Sequence, residues 1–223
     1  MPFDPNQLLN STVNLMAIKG QGVKTTSLPP ATAEPITPAP MTPAAEASQG
    51  ESAVMGPFDP TFYQNAFSRL GLLQIANVCD LGCGEGRFTS VMAERRQRRE
   101  VYMGVDISHG RIKVAKDNFP GWNFIYGDFF SPQVRQQYER YEAFLLLNVL
   151  ETLDNDLEFL VTVPSGKPML FNCPLAPAEG LKRHFEDMGA IRERYSNYLS
   201  IKSIGRANLK NGDRHFMVVG TKW

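Results

Sequence analysis

The chain is 223 residues long, with 23 lysines and arginines against 23 aspartates and glutamates, so its formal net charge is zero. That balance argues against bulk attraction to nucleic acid or an anionic membrane surface. No apolar stretch approaches the ~20 residues of a membrane span, and the N-terminus lacks the basic–apolar–small pattern of a secretory signal. The three cysteines, Cys79, Cys83 and Cys173, show no metal-ligand spacing beyond one weak C-x-x-x-C. They read as free thiols in a reducing, cytoplasmic compartment, and no metal is expected.

Residues 1–56 differ from the rest. Residues 27–53 are rich in Pro, Ala, Thr, Ser and Glu and nearly lack large apolar side chains. Such a stretch cannot bury enough surface to offset its ordering entropy, and it reads as a flexible linker. Before it, Leu8, Leu9, Val13, Leu15, Met16 and Ile18 cluster. Either this is a frayed tail, or residues 1–26 hold a short segment that docks on the domain or on a protein partner. Pro2-Phe3-Asp4-Pro5 recurs as Pro57-Phe58-Asp59-Pro60, too short a match to establish a repeat.

A folded domain is expected over 57–223. Phe62, Tyr63, Ala66, Phe67 and Leu70 recur at helical spacing after the cap and first-turn pair Asp59-Pro60, predicting a helix over 60–72. Tyr63 and Phe67 are either core residues or a lid over a ligand. A strand at 76–81 then runs into Asp80-Leu81-Gly82-Cys83-Gly84-Glu85-Gly86-Arg87-Phe88. Glycines allow a tight turn and let a ligand sit against bare backbone, and the following helix offers unpaired N–H groups. A dinucleotide fingerprint needs a third glycine where Arg87 stands, so an NAD-type site is disfavoured. Asp80 and Glu85 would repel a pyrophosphate and attract an ammonium or a sulfonium.

The next strand, 101–106, ends in Asp106, 20 residues past Gly86, where a carboxylate can accept both hydroxyls of a ribose. Ile107 follows it. A helix is expected over 109–118, with His109 as its start, and a strand over 123–127. Asp128 and Phe129 then suit an adenine, the acid accepting from the amino group and the aromatics packing on the ring. A short helix at 131–139 leads to an apolar strand at 143–148, too continuous to be half-exposed. It ends at Asn148, a candidate to hold the far end of the ligand, and Glu151 follows. Glu151 is either a base or substrate-orienting group, or merely a first-turn acid. Helices at 154–162 and 178–188 (the latter closed by Gly189) flank a strand at 168–173. His184 lies where substrate segments often run. Strands at 196–205 and 214–222 are joined through Asn211-Gly212, a strong hairpin signal. The sum is an α/β fold: a Rossmann-like, seven-stranded, mostly parallel sheet with helices on both faces and a C-terminal antiparallel hairpin.

Four segments in this order resemble the class I S-adenosylmethionine (AdoMet) dependent methyltransferases. Asp80 to Gly86 matches that superfamily's first motif, Asp106 its ribose-binding acid, Gly127-Asp128-Phe129 its adenine-side motif, and Asn148 to Leu153 its segment after the fourth strand. The resemblance implies an AdoMet site formed by Asp80, Gly82, Cys83, Gly84, Gly86, Asp106, Ile107, Asp128, Phe129 and Asn148. Glu151 and His184 are the candidate catalytic groups. A narrower group of small bacterial-type methyltransferases is similar around Glu151-Thr152-Leu153, at Arg183 and Phe185, and at Glu193-Arg194-Tyr195. Thr152 and Leu181 stand where that group carries histidines. The marks of exocyclic-amine, cytosine and protein-arginine enzymes are missing. The implied reaction is O- or N-methylation of a small molecule, such as a metabolite, lipid or glycan precursor. The alternative is a non-catalytic AdoMet-binding or partner subunit.

Overall fold

A computed structural model describes residues 59–223, except 73, 74, 76, 96, 179 and 209–213. The expected tail (1–56), its docking segment (1–26) and the Asn211-Gly212 turn lie outside the described residues. The elements are α1 (Pro60–Leu72), β1 (Val78–Leu81), α2 (Arg87–Glu94), β2 (Tyr102–Asp106), α3 (His109–Asn118), β3 (Phe124–Tyr126) and α4 (Pro132–Tyr138). They continue with β4 (Ala143–Leu146), α5 (Asp156–Thr162), β5 (Pro168–Pro174), α6 (Met188–Tyr195), β6 (Leu199–Asn208) and β7 (Arg214–Lys222). A 3-10 turn, Leu150–Thr152, follows β4.

Local chemistry sets most helix starts. Asp59 Oδ1 accepts the Thr61 N–H at 2.8 Å ahead of α1, and the Ser108 and Ser131 hydroxyls cap α3 and α4, the latter with Pro132 in the first turn. The seven strands form one sheet in the order β3-β2-β1-β4-β5-β7-β6. Neighbours pair in parallel through β5, and β7 inserts antiparallel between β5 and β6. The chain moves outward from β1 to β3, then returns to lay β4 on the other side of β1. Open α/β sheets bind ligands at the strand C-termini beside such a reversal.

Each face of the sheet buries its own apolar cluster. On one, Phe62, Ala66, Phe88, Val91 and Ile112 from α1–α3 cover Val78, Leu145, Leu170 and Met217. On the other, Val134, Tyr138, Phe159, Ile191 and Tyr195 from α4–α6 cover Cys79, Phe144, Phe171 and Val218. The expected helices on both faces are therefore present.

One helix is misplaced in the sequence reading. Among the described residues no helix spans 178–188. The Lys182 N–H is given to Glu151 O at 2.7 Å and the Phe185 N–H to Pro174 O at 2.8 Å. Arg183 reaches Leu150 O, Leu153 O (2.6 Å) and Asp154 O (3.2 Å). A backbone tied sideways to β5 and the turn after β4 cannot also close i to i−4 bonds. The helix starts later, where Asp187 Oδ1 accepts the Ala190 N–H at 2.9 Å. Gly189, expected to end a helix, lies in the first turn of α6.

Candidate active site

The glycine loop after β1 and the turn after β4 meet at the reversal. Gly82 (φ +83°), Gly84 (φ +56°) and Gly86 (φ +83°) all take the left-handed conformation that glycine adopts without steric cost. A Cβ on Gly82 would lie 2.3 Å from Val149 Cγ2, so the two loops touch through the missing side chain. The Gly82 and Cys83 N–H groups both reach Val105 O, which holds the loop against the end of β2. Cys83 is buried beneath it.

Asp106, 5% exposed, faces this loop. Its Oδ2 accepts the Gly84 N–H and its Oδ1 the Ser108 N–H, both at 2.8 Å. Each carboxylate oxygen keeps a further lone pair for a ligand hydroxyl. Ile107 is half-buried just beyond it. Asp80 is more deeply placed: it is 2% exposed, and Tyr102 donates to its Oδ2 at 2.9 Å. Burial pushes its pKa up to about 7, with the Asp106 charge adding to the rise and the Tyr102 hydroxyl opposing it.

On the β3 side, Asp128 is half-buried and its Oδ1 accepts the Phe130 N–H at 2.8 Å. The Phe129 ring, expected to pack against an adenine, is buried. That ring is in the core, 5.4 Å from Phe159 and edge-on to it, because the strand-end geometry turns it toward the α4–α5 face. His109 and Tyr126, their rings 5.3 Å apart, stand near the ends of β2 and β3 instead.

Beyond β4 lies a polar cluster. Asn148 is the one non-glycine residue with positive φ (+61°) among those described. Asn172, on β5 and wholly buried, explains how it is held: the Asn148 N–H donates to Asn172 Oδ1 at 2.7 Å, and Asn172 Nδ2 donates to Asn148 Oδ1 at 3.0 Å. Asn172 Nδ2 also lies 2.8 Å from Glu151 Oε1 and 3.2 Å from His215 Nδ1, on β7. Glu151 is 2% exposed, and its Oε2 is buried with no hydrogen-bond partner among the described residues. Burial raises its pKa to about 7, against the opposing pull of its own backbone N–H, the Asn172 amide, Arg183 and the Val149 backbone. Glu151 does lie in the first turn of the 3-10 helix Leu150–Thr152, but there it is buried rather than solvated.

α1 roofs this cluster. Tyr63 lies beside Arg87 and Asn148, and the Phe62 ring lies 5.6 Å from His215. Phe67 faces Phe88 at 6.4 Å and belongs to the core. Of the pair weighed as a lid, only Tyr63 reaches the loops. His184 is exposed, and the structure shows no contact between its side chain and the cluster. Its neighbours explain why its segment runs here: Arg183 clamps the turn carrying Glu151, and Phe185 is anchored in the core. Sequence reading missed Asn172 and His215. A signal was present for the first, since an amide inside the apolar run Met169-Leu170-Phe171-Asn172-Cys173 must find partners when buried.

Residues 74–166 match the family model described as a methyltransferase domain. Over that stretch the chain is similar to a methyltransferase domain. Its fold is shared with solved structures at low sequence identity. The methyltransferase domain of bacterial CtHen1 is 18% identical, with 73% of this chain and 97% of that one covered and a TM-score of 0.57. Magnesium protoporphyrin IX methyltransferase from Synechocystis PCC 6803, solved with bound SAM, is 17% identical over 73% of this chain and 79% of that one, at a TM-score of 0.52. The [4+2]-cyclase SpnF is 12% identical over 73% and 81%, at 0.55. No match is found among curated protein sequences. The cyclase in this set shows that the fold alone does not dictate methyl transfer, so the chemistry has to be argued from the site.

Among the described residues no group of His, Cys, Asp and Glu could hold a metal ion, and no helix is long and apolar enough to cross a membrane.

Proposed function

We propose that the domain binds AdoMet and transfers its methyl group to an oxygen or nitrogen of a small-molecule acceptor. The observation that carries this reading is Glu151: a buried carboxyl with one oxygen unpartnered, one turn past the β4 loop that meets the glycine loop. AdoMet held there supplies a methyl group on a positively charged sulfur and leaves as a neutral thioether.

The residues fit that ligand. Asp106 has acceptor capacity left for ribose hydroxyls. Gly82, Cys83, Gly84 and Gly86 offer backbone rather than bulk, Ile107 and Asp128 flank the adenine side, and Asn148 borders the methionine side. Phe129 would take part through its backbone, since its ring is in the core. Asp80 contributes negative charge when ionised, suited to an ammonium.

The acceptor side belongs to Glu151. A carboxyl raised to about 7 is half ionised near neutral pH and can take a proton as the acceptor reacts. Tyr63 and α1 close the site from above and limit water. His184 stays a candidate only for contact with a substrate at the rim, because it is exposed.

The test is calorimetric titration of the full chain with AdoMet and with S-adenosylhomocysteine, followed by incubation of the chain and methyl-tritiated AdoMet with a fractionated metabolite extract. Binding of both ligands, and label appearing in a low-mass fraction, are the expected results. A folded chain that binds neither ligand would overturn the proposal.

A further inference from the structure

The orientation of the Asn172 amide is set by its neighbours. Oδ1 must be the atom that receives the Asn148 N–H, so Nδ2 is the atom that faces Asn148 Oδ1, Glu151 Oε1 and His215 Nδ1. An amide NH2 has two protons, and here three acceptors compete for them. Two consequences follow. Glu151 Oε1 faces a donor and cannot carry a proton there without a donor–donor clash. His215 Nδ1 faces the same donor, so the ring places its hydrogen on Nε2.

We infer that Asn172 is a positioning residue for methyl transfer: it reserves Glu151 Oε2 as the proton-accepting oxygen and ties that group to Asn148 on the cofactor side, while His215 competes for the same amide. The inference rests on the methyl-transfer reading above. In the step it serves, the acceptor's X–H bond breaks, the proton forms an O–H bond on Glu151 Oε2, and the electron pair stays on X for its new bond to carbon. The burial of both Asn172 and Glu151 makes the assignment strict, because no water-exposed rotamer relieves an unmatched donor.

The competition gives the proposal opposite-signed consequences. The charged and titratable groups that face Glu151 are Arg183 from the segment before α6, Cys173 on β5 and, through the amide, His215 on β7. Asn172→Asp keeps an oxygen for the Asn148 N–H, removes the donor to Glu151 and adds a negative charge. His215→Phe removes the competing acceptor and leaves both amide protons to Asn148 and Glu151. Neither change touches Arg183 or Cys173.

The experiment uses the full chain labelled with 13C at the glutamate carboxyl carbons, titrated by NMR, with the Glu151 signal assigned by its loss in Glu151→Gln. The Glu151 midpoint is expected to rise by about one pH unit or more in Asn172→Asp, and to fall by about half a unit in His215→Phe. A midpoint unmoved in both variants, or moved in the same direction in both, overturns the proposal. Calorimetry with S-adenosylhomocysteine on the same samples separates the two claims. A wild-type chain that does not bind it refutes the methyltransferase reading, whereas binding combined with unmoved midpoints refutes only the role of Asn172.

Discussion

Replacing Glu151 by glutamine should change how stability depends on pH. Burial moves the Glu151 carboxyl from an ordinary value of 4.5 to about 7 in the folded chain. Between those values the folded form holds a proton that the unfolded form has released. Stability must then fall as pH rises through that window, and the contribution is complete below it and lost above it. Linkage over this interval gives a loss of about 2–3 kcal/mol between pH 5 and pH 8 from this one group. A glutamine amide does not titrate, so the variant should lack that loss. It adds a pH-independent cost of about 1–3 kcal/mol, because an amide nitrogen in place of Oε2 is buried without a partner. Urea unfolding at pH 5, 6, 7 and 8 separates the two effects: the gap between wild type and variant should close with rising pH. Asp80, also raised to about 7 mainly by burial, keeps part of the slope in both proteins. Unfolding curves that stay parallel from pH 5 to 8 would refute the claim that Glu151 is desolvated, and with it the choice of this carboxyl as proton acceptor.

Other perturbations test the scaffold. Gly82→Ala places a Cβ 2.3 Å from Val149 Cγ2 at φ +83°; a loss of about 2–4 kcal/mol in urea unfolding, with weakened S-adenosylhomocysteine binding, is expected from overpacking and left-handed strain. Asp106→Ala should weaken AdoMet binding at least tenfold, about 1.4 kcal/mol by calorimetry, and unchanged affinity would sink the ribose assignment. Asp156, 1% exposed, accepts from Arg194 Nε and Nη2 (3.0 and 2.6 Å) and from the Tyr195 hydroxyl (2.8 Å), and pairs with Arg183 (3.1 Å). Asp156→Ala strands those donors and should cost about 3–5 kcal/mol by chemical denaturation.

The elements legible in the sequence are those whose signals are local. Asp59-Pro60 starts α1, Ser131-Pro132 starts α4, and the three glycines shape the loop, each through atoms within a few residues. The segment 178–188 defeated the same logic because its bonds are long-range: Arg183, Lys182 and Phe185 are claimed by residues 11 to 33 positions earlier. Its helical pattern is real as a pattern, but the tertiary partners of those backbone groups outweigh propensity.

The same distinction explains which parts of the candidate site are legible in the sequence. Asp80 to Gly86, Asp106 and Asp128 each sit at a strand end, and a strand end followed by a turn is readable one segment at a time. The Glu151 cluster instead needs three strands in register. β5 pairs with β7 antiparallel so that Asn172 meets Met217 and Pro174 meets His215. This delivers His215 from 43 residues away to the amide that also serves Asn148 and Glu151. No spacing within either strand predicts that meeting; only the insertion of β7 between β5 and β6 does. The antiparallel strand β7 thus also brings the His215 ring to the amide shared by Asn148 and Glu151. If His215 serves only to fill space under Phe62, its replacement by Phe will leave the Glu151 titration where it is. If the topology matters for chemistry, that titration will move down.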